Sequence, residues 1–233
     1  MRIKKYIPNT LTCLSLFSGC VACVAAFSGN YPLALLWIVI AAVFDFSDGF
    51  AARALKAFSP IGKELDSLSD IVSFGVAPGM MLFCLLRDAN LAFLTPAISA
   101  FIPYLAFVIP VFSGLRLAKF NIDDRQTTSF IGLPVPAHAL FWSSLICVMA
   151  PIIWRNPTLY VPILLVVAFA SSYMLVSNLP MFSLKFKNFG WKGNEIRYLL
   201  IVAGLVFILL FRYLGIAGTI VLYVILSFFN KKR

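Results

Sequence analysis

Four aspartates lie at the ends of two strongly apolar segments, which is a costly place for charge. Asp45 and Asp48 stand three residues apart at the end of one segment. Asp66 and Asp70 stand four residues apart at the start of the next. Residues three or four apart are neighbours on a helix surface, so each pair shares one face. Because a charged side chain in a membrane helix costs about 2.5–3.5 kcal/mol on insertion scales, acids in such segments indicate a function.

The stretch between the two pairs predicts that they meet. Ser59, Pro60 and Gly62 indicate a short turn, which would fold the two segments into an antiparallel hairpin. The four carboxylates would then repel one another unless they were protonated, paired with cations or bound to metal. Two divalent cations would balance the charge, and ligands that offer only oxygen favour Mg, Mn or Ca over Zn. The spacing therefore predicts a site for two divalent ions, with solvated helix ends as the alternative.

The composition predicts a membrane protein. Of the 233 residues, 61% are hydrophobic and 12% are charged. Soluble domains carry about 25% charged residues, so a disordered chain, a disulfide scaffold and a water-soluble globule are excluded. Repeated long apolar runs predict an all-α polytopic helical bundle that forms a single membrane domain over residues 1–233. The net charge of +10 would suit a nucleic-acid partner. In so apolar a chain, the positive net charge is better explained by basic residues that lie beside a bilayer, and no nucleic-acid partner is expected.

The apolar runs predict eight transmembrane helices with both termini in the cytoplasm, or six if the last hairpin does not span the bilayer. The predicted spans are Leu11–Phe27, Leu33–Leu55, Leu65–Leu86, Pro96–Phe120, Pro134–Trp154, Leu159–Ser177, Arg197–Phe211 and Leu214–Phe229. This topology puts 16 of the 19 Lys and Arg residues on the cytoplasmic side and leaves three, Arg87, Arg155 and Arg212, on the other. That distribution satisfies the positive-inside rule. The aspartates then face the cytoplasm from a multi-pass protein of the cytoplasmic membrane.

The aspartate region also matches a known signature. Its pattern is Asp-x-x-Asp-Gly-x-x-Ala-Arg, eight residues, Gly, three residues, Asp, three residues and Asp. This pattern resembles the CDP-alcohol phosphotransferase family, integral membrane enzymes that make phospholipid head-group linkages. All eight fixed positions are present within 26 residues: Asp45, Asp48, Gly49, Ala52, Arg53, Gly62, Asp66 and Asp70. The resemblance implies a catalytic core in residues 1–155, to which residues 156–233 add transmembrane helices.

The resemblance implies a transferase that moves a phosphatidyl-type group from a CDP-linked lipid to an alcohol and releases CMP, by direct displacement. It implies that Asp45, Asp48 and Asp66 bind two divalent metal ions. It makes Asp70 the general base, which also touches a metal. The residues that it assigns to the nucleotide are Gly49, Ala52, Arg53 and Gly62. Family members commonly form homodimers, so a homodimer surrounded by membrane lipid is expected.

The start of the chain extends the resemblance. The opening Pro8–Thr12 is similar to that of bacterial members of the family. Asn9 and Thr12 would contact the nucleotide or the lipid phosphate. The alternative is that they cap the N-terminus of the first helix.

Two later stretches are similar to the membrane-embedded, serine-accepting branch of the family. Ser113–Asn121 matches that branch with Lys119 at a position where Arg is more usual, and Phe130–Ala137 matches it as well. Arg116 and Lys119 share a helical face and would hold the serine carboxylate or the lipid pyrophosphate. The alternative is that both are ordinary positive-inside residues at the end of a span.

The resemblance thus implies transfer of a phosphatidyl group from CDP-diacylglycerol to L-serine. Glycerol 3-phosphate or inositol phosphate is the alternative acceptor. A divalent-cation transporter is the alternative from another class, although acids confined to one hairpin with no second copy count against it. The single histidine, His138, is expected to pack or to hydrogen-bond a neighbouring helix, with a catalytic part as the alternative.

Overall fold

A computed structural model describes residues 6–122, 130–182, 190–191 and 193–229 of the chain. Those residues form eight helices and one two-stranded antiparallel ladder. The helices are α1 (Tyr6–Phe27), α2 (Tyr31–Ala54), α3 (Pro60–Arg87), α4 (Pro96–Ile122), α5 (Val135–Arg155), α6 (Pro157–Val176), α7 (Glu195–Phe211) and α8 (Tyr213–Phe229). The strands are β1 (Phe130–Ile131) and β2 (Pro180–Met181).

The first six helices confirm a multi-pass helical membrane protein. In the part of the chain that the structure describes, α1 to α6 are long and apolar enough to cross a bilayer. α7 and α8 have 17 residues each, which gives about 25 Å of helix against a hydrocarbon core of about 30 Å. Eight spans and cytoplasmic termini therefore stay predictions. Ten of the basic residues on which that topology depends lie outside the described residues: Arg2, Lys4, Lys5, Arg125, Lys185, Lys187, Lys192, Lys231, Lys232 and Arg233.

The connection between α2 and α3 confirms the predicted short turn, which occupies residues 55–59. Ser59 caps α3, because its Oγ accepts a hydrogen bond from the backbone N–H of Gly62 at 3.1 Å. Pro60 follows at the first helical position, where its missing N–H costs nothing. α3 thus starts five residues before Leu65, where the apolar run begins, because a polar first turn is stabilised by its cap rather than by hydropathy.

α1 packs closely against α3 and runs parallel to it. The hydroxyl of Ser69 donates to the carbonyl of Thr12 at 3.2 Å. One turn further along both helices, Ser73 donates to the carbonyl of Ser15 at 2.9 Å. A Cβ on Gly19 would lie 2.7 Å from the Cα of Ser73, so a side chain does not fit there. Small residues of this kind allow helices in a membrane to approach closely.

α3 contains one widened turn, a π-helical segment at Ile71–Val76 that begins directly after Asp70. Pro78 lies two residues beyond the segment and has no N–H to donate to the carbonyl of Phe74, four residues earlier. The proline ring also crowds that carbonyl, which favours a wider turn. Single π turns inside α-helices are frequent at functional sites.

α4 runs antiparallel to α3. Near one end, Nδ2 of Asn121 donates to Oγ of Ser67 at 2.8 Å. Towards the other end, a Cβ on Gly79 would lie 2.8 Å from Cδ of Pro110. The C-terminal end of α4 therefore lies beside the first turns of α3, where Asp66 is located.

α5 occupies the middle of the bundle and packs against α2, α3, α6 and α8. Its Trp142 is the largest of the fully buried side chains among the described residues. The ladder of β1 and β2 joins the segment that follows α4 to the segment that follows α6. The backbone N–H of Gly132 extends this connection by donating to the carbonyl of Leu179 at 2.8 Å. α8 is attached to the same region, because the hydroxyl of Tyr223 donates to the carbonyl of Phe182 at 3.0 Å.

Candidate active site

Three of the four predicted aspartates converge at the end of the α2–α3 hairpin. Asp45, Asp48 and Asp66 each offer a carboxylate oxygen, and these three oxygens lie within 4.8 Å of one another. Asp48 is buried, and Asp45 and Asp66 are half-buried. The predicted meeting of the two pairs is thus present in the structure, and it depends on the five-residue turn between α2 and α3.

Asp70 lies one turn along α3 from Asp66, at the edge of the group of three. Its carboxyl group interacts with that of Asp45, which links it to the cluster. Its Oδ1 is buried and has no hydrogen-bond partner among the described residues. A buried carboxylate oxygen without a partner is costly, so it indicates that a proton, a cation or a ligand group is bound there in the working protein.

Within the part of the chain that the structure describes, no basic side chain forms an ion pair with the cluster. Among the described residues, no Lys or Arg nitrogen lies within 4.0 Å of these aspartates; the ion pair within that distance joins Arg87 to Asp88 at 2.7 Å. Arg53 attracts the carboxylate of Asp48 electrostatically from further away. Its guanidinium lies beside Gly49, 3.4 Å from the position that a Cβ there would take. Clustered carboxylates without paired bases fit divalent cations, and a set of oxygen donors fits Mg, Mn or Ca.

Asp48 is held by a residue of α1. The hydroxyl of Thr12 donates to Oδ2 of Asp48 at 2.5 Å, and both side chains are buried. The alternative that Asn9 and Thr12 cap the first helix is wrong, because α1 is already helical from Tyr6 and both residues lie inside it. The capping alternative relied on the start of the apolar run at Leu11, whereas the structure is helical from Tyr6, five residues earlier.

The predicted nucleotide-binding residues lie on both sides of the α2–α3 turn. Gly62 packs against α1, because a Cβ there would lie 3.0 Å from both Oδ1 of Asn9 and Oγ of Ser59. Ala52 is half-buried near the end of α2, and its carbonyl accepts a hydrogen bond from the N–H of Ala57 at 2.9 Å. Asn9 and Gly62 are therefore in contact, although they are far apart in the chain.

The two basic residues of α4 differ in their surroundings. Arg116 is 5% exposed, with its guanidinium 5.3 Å from the centre of the Phe120 ring. Lys119 is exposed, and its Nζ donates to the carbonyl of Val176 at the end of α6, 3.2 Å away. Neither lies within 4.0 Å of an aspartate of the cluster. The buried Arg116 is the less ordinary of the two, because an arginine is seldom fully buried.

His138 confirms the expected contact with a neighbouring helix. It is fully buried in α5, and its Nε2 lies 3.0 Å from the hydroxyl of Ser171 in α6. The indole N–H of Trp142 lies 3.0 Å from the same hydroxyl and 3.1 Å from Nε2 of His138. This group of three side chains joins α5 to α6.

The sequence interpretation missed the residues that hold α1 against α3. Ser69 and Ser73 bond the backbone of α1, and Gly19 permits the contact. The signal was present as small residues four apart, at Ser15 and Gly19 in α1 and at Ser69 and Ser73 in α3. The widened turn after Asp70 was missed as well, and Pro78 was its signal.

Comparison with known proteins gives a consistent result. The family model for CDP-alcohol phosphatidyltransferase matches residues 5–176 of the chain. The CDP-diacylglycerol–serine O-phosphatidyltransferase of Bacillus subtilis is 36% identical over 135 residues, which are 56% of this chain and 70% of the relative. The enzyme of the same name from Mycobacterium leprae is 33% identical over 185 residues, 75% of this chain and 57% of the relative.

An archaeal relative has a different name. The archaetidylserine synthase of Methanothermobacter thermautotrophicus is 32% identical over 141 residues, which are 59% of this chain and 56% of the relative. The aligned regions thus span little more than half the length of the Mycobacterium leprae and Methanothermobacter thermautotrophicus relatives.

Proposed function

We propose that this chain, which belongs to the CDP-alcohol phosphatidyltransferase family, transfers a phosphatidyl group from CDP-diacylglycerol to the hydroxyl of L-serine and releases CMP. It would thus act as a phosphatidylserine synthase in phospholipid biosynthesis. The observation that carries the proposal is the convergence of Asp45, Asp48 and Asp66, with Asp70 beside them. The choice of serine is supported by the three relatives described above, whose names all specify it.

Asp45, Asp48 and Asp66 would hold two divalent metal ions. When bound, such ions offset the charge of the pyrophosphate and stabilise the entering and leaving oxygens of an in-line displacement. The carboxylates supply the negative charge that selects divalent cations, and the burial of Asp48 and the partial burial of Asp45 and Asp66 exclude part of the competing water. Among the described residues, no Lys or Arg nitrogen lies within 4.0 Å of the four carboxyl groups, which supports this role.

Asp70 would be the general base. The hydroxyl oxygen of serine forms a bond to the β-phosphorus while the bond from that phosphorus to the oxygen of CMP breaks. The hydroxyl proton passes to Asp70, whose Oδ1 is buried and has no other partner among the described residues. A base must lie within hydrogen-bond reach of the proton that it takes. Transfer is direct, so no covalent intermediate with the enzyme is formed.

The surrounding residues would recognise the two substrates. Gly49 and Ala52 leave room for the cytidine on the last turns of α2, and Gly62 and Arg53 flank the same region. Arg116, a buried cation on α4, would bind an anionic group, either the serine carboxylate or the lipid pyrophosphate. Asn9, which contacts Gly62, would also contact the nucleotide. Lys119, which is exposed, would add positive charge at the entrance to the site.

The membrane arrangement completes the proposal. The site lies within residues 1–155, which we take as the catalytic core, and residues 156–233 add helices. The site would face the cytoplasm from the cytoplasmic membrane, where a lipid with two acyl chains and a water-soluble nucleotide can meet. The working protein would be a homodimer surrounded by membrane lipid. The positive-inside pattern of the sequence supports the orientation, and the family supports the homodimer.

The experiment is a comparison of acceptors with the purified protein in mixed micelles of CDP-diacylglycerol. CMP release is measured with Mn²⁺ or Mg²⁺ and with serine, glycerol 3-phosphate, inositol phosphate or no acceptor. Of these acceptors, only serine should cause release of CMP, with phosphatidylserine as the other product. Release with a phosphorylated alcohol instead would assign a sister enzyme, and release without any acceptor would assign a hydrolase.

A matched pair of variants ties the activity to the aspartate cluster. Asp66→Asn removes a carboxylate of the cluster, whereas Glu64→Gln removes an exposed carboxylate two residues away on the same helix. Asp66→Asn should abolish CMP release and Glu64→Gln should leave it unchanged. Equal activity in the two variants would contradict the proposed site. Metal-ion uptake into sealed vesicles by a protein that releases no CMP would support a transporter instead.

A further inference from the structure

Two residues of α1, Thr12 and Ser15, make the same pair of contacts. Each side-chain hydroxyl donates to α2: Thr12 to Oδ2 of Asp48 at 2.5 Å, and Ser15 to the carbonyl of Ala41 at 3.0 Å. Each backbone carbonyl accepts from a serine of α3: Thr12 at 3.2 Å and Ser15 at 2.9 Å. This part of α1 is therefore hydrogen-bonded to both helices that carry the aspartates.

The Thr12 hydroxyl is committed to Asp48. A hydroxyl has one proton to donate. Its two acceptors are Oδ2 of Asp48 at 2.5 Å and the carbonyl of Pro8 at 3.1 Å. An O–H donor 2.5–2.7 Å from an oxygen is typical of a charge-assisted bond to a carboxylate, so the shorter contact takes the proton. That proton is then not available to a nucleotide or lipid phosphate.

Asp48 is the buried member of the cluster, with 6% of its surface exposed. With Oδ2 bound to Thr12, rotation of the carboxylate would break the bond, while lone pairs on both oxygens stay available to a cation. Partners behind metal-ligating side chains fix the orientation of those ligands and raise metal affinity. The hydrogen bond from Thr12 to Asp48 fits this role, because Thr12 belongs to a different helix and is itself buried, with 3% of its surface exposed.

We propose that Thr12 is a positioning residue for Asp48, and that through it α1 sets the separation of the two aspartate pairs. The carbonyl of Thr12 accepts a hydrogen bond from Ser69, which precedes Asp70 in α3, so one residue of α1 is bonded to Asp48 of the first pair and to the neighbour of Asp70 in the second. This role rests on the proposed metal-dependent function. It replaces the nucleotide contact expected for Thr12 from the sequence.

The test measures Mn²⁺ binding by the purified protein in detergent without substrate, by the electron paramagnetic resonance signal of free Mn²⁺. Thr12→Val removes the hydroxyl and keeps the branched shape, and Thr12→Ser restores the hydroxyl. Thr10→Val is the matched control, because Thr10 is exposed on the same helix and, among the described residues, its hydroxyl bonds the carbonyl of Tyr6, four residues earlier. Thr12→Ala repeats the measurement if the valine variant does not give a folded, monodisperse protein.

Thr12→Val should weaken Mn²⁺ binding by about tenfold to a hundredfold, the usual effect of losing such a partner. Thr12→Ser and Thr10→Val should remain within about threefold of the unaltered protein, by the same principle. Unchanged affinity in Thr12→Val, or an equal loss in Thr12→Ser, would overturn the positioning role. If the unaltered protein binds no Mn²⁺ while still releasing CMP, the metal-dependent mechanism itself is wrong. Failure of the Thr12 proposal alone would instead leave Mn²⁺ binding by the unaltered protein intact.

Discussion

Gly19 of α1 and Ser73 of α3 are so close that the backbone of Ser73 occupies the space where a side chain at residue 19 would begin. The contact lies one turn beyond the hydrogen bond from Ser73 to the carbonyl of Ser15. Ser73 itself lies within the widened turn that follows Asp70. The position of the proposed general base thus depends on how closely α1 and α3 approach each other.

Gly19→Ala should lower both stability and activity. A Cβ there would lie 2.7 Å from the Cα of Ser73, and backbone cannot yield as a flexible side chain can. Overpacking of this kind costs about 1–3 kcal/mol. The free energy of unfolding in detergent and the rate of CMP release both measure the effect.

Gly114→Ala is the matched control for that change. Its added Cβ would meet only Cδ1 of Ile71, at 3.5 Å, which is an ordinary contact. An alanine in a helix is more stable than a glycine by about 0.5–1 kcal/mol, so this variant should be neutral or slightly stabilised. The close approach of α1 and α3 is unimportant if the Gly19 and Gly114 variants behave alike.

Asp70→Asn should separate chemistry from metal binding. The amide cannot accept the hydroxyl proton of serine, and loss of a general base lowers kcat by about 10²- to 10⁴-fold. Mn²⁺ affinity should change little, because Asp70 lies outside the group of three close carboxylate oxygens. Single-turnover CMP release and Mn²⁺ titration measure the two effects. The smallest expected loss of turnover is about a hundredfold. A variant that keeps its turnover within about tenfold of the unaltered protein would therefore remove Asp70 from the role of base.

Removal of divalent metal should abolish activity and lower thermal stability together. A ligand that binds only the folded protein stabilises it by about 2.7 kcal/mol at a concentration of 100 times Kd. Mg²⁺ or Mn²⁺ should restore both properties after chelation, whereas Zn²⁺ should not, because the cluster offers oxygen ligands only. Chelator saturated with Ca²⁺ before addition is the control. An unaffected rate after exhaustive chelation would contradict the metal-dependent mechanism.

Much of the fold and of the aspartate site was predictable from local patterns. Among the described residues, hydropathy located the six helices that are long and apolar enough to cross a bilayer, and the spacing of the aspartates located the cluster. The bond between Thr12 and Asp48 was not predictable, because it joins residues 36 positions apart and depends on how α1 is rotated about its axis. In a helix that is apolar on all sides, hydropathy carries little information about that rotation.

The basic residues of α4 show a second limit of the sequence. Arg116 and Lys119 are three apart and look equivalent, yet one is buried and the other is exposed and bonded to the end of α6. Burial at that depth depends on the packing of α4 against α3 and α6, which involves long-range contacts. Charge spacing placed both residues at the correct end of the bundle and did not distinguish them.

Arg116→Gln should impair catalysis more than Lys119→Gln does. A lost hydrogen bond to a charged group costs about 1.5–3 kcal/mol, which is about tenfold to a hundredfold in kcat/KM. A raised KM for serine would assign Arg116 to the serine carboxylate, and a raised KM for CDP-diacylglycerol would assign it to the pyrophosphate. Arg116→Lys, which keeps the charge, controls for loss of fold. Equal effects of the two Gln variants would leave Arg116 as a topological residue.

Tyr223→Phe should weaken the attachment of α8 without altering the chemistry. The hydroxyl of Tyr223 donates to the carbonyl of Phe182, and the two rings meet edge to face with centres 5.0 Å apart. Phenylalanine keeps the ring contact and loses one hydrogen bond, which is worth about 0.5–1.5 kcal/mol. Tyr213→Phe is the matched control, because Tyr213 is an exposed tyrosine on the same helix. The free energy of unfolding should fall only in Tyr223→Phe, with kcat unchanged in both variants. A fall in kcat at full stability would instead show that α8 influences the aspartate site.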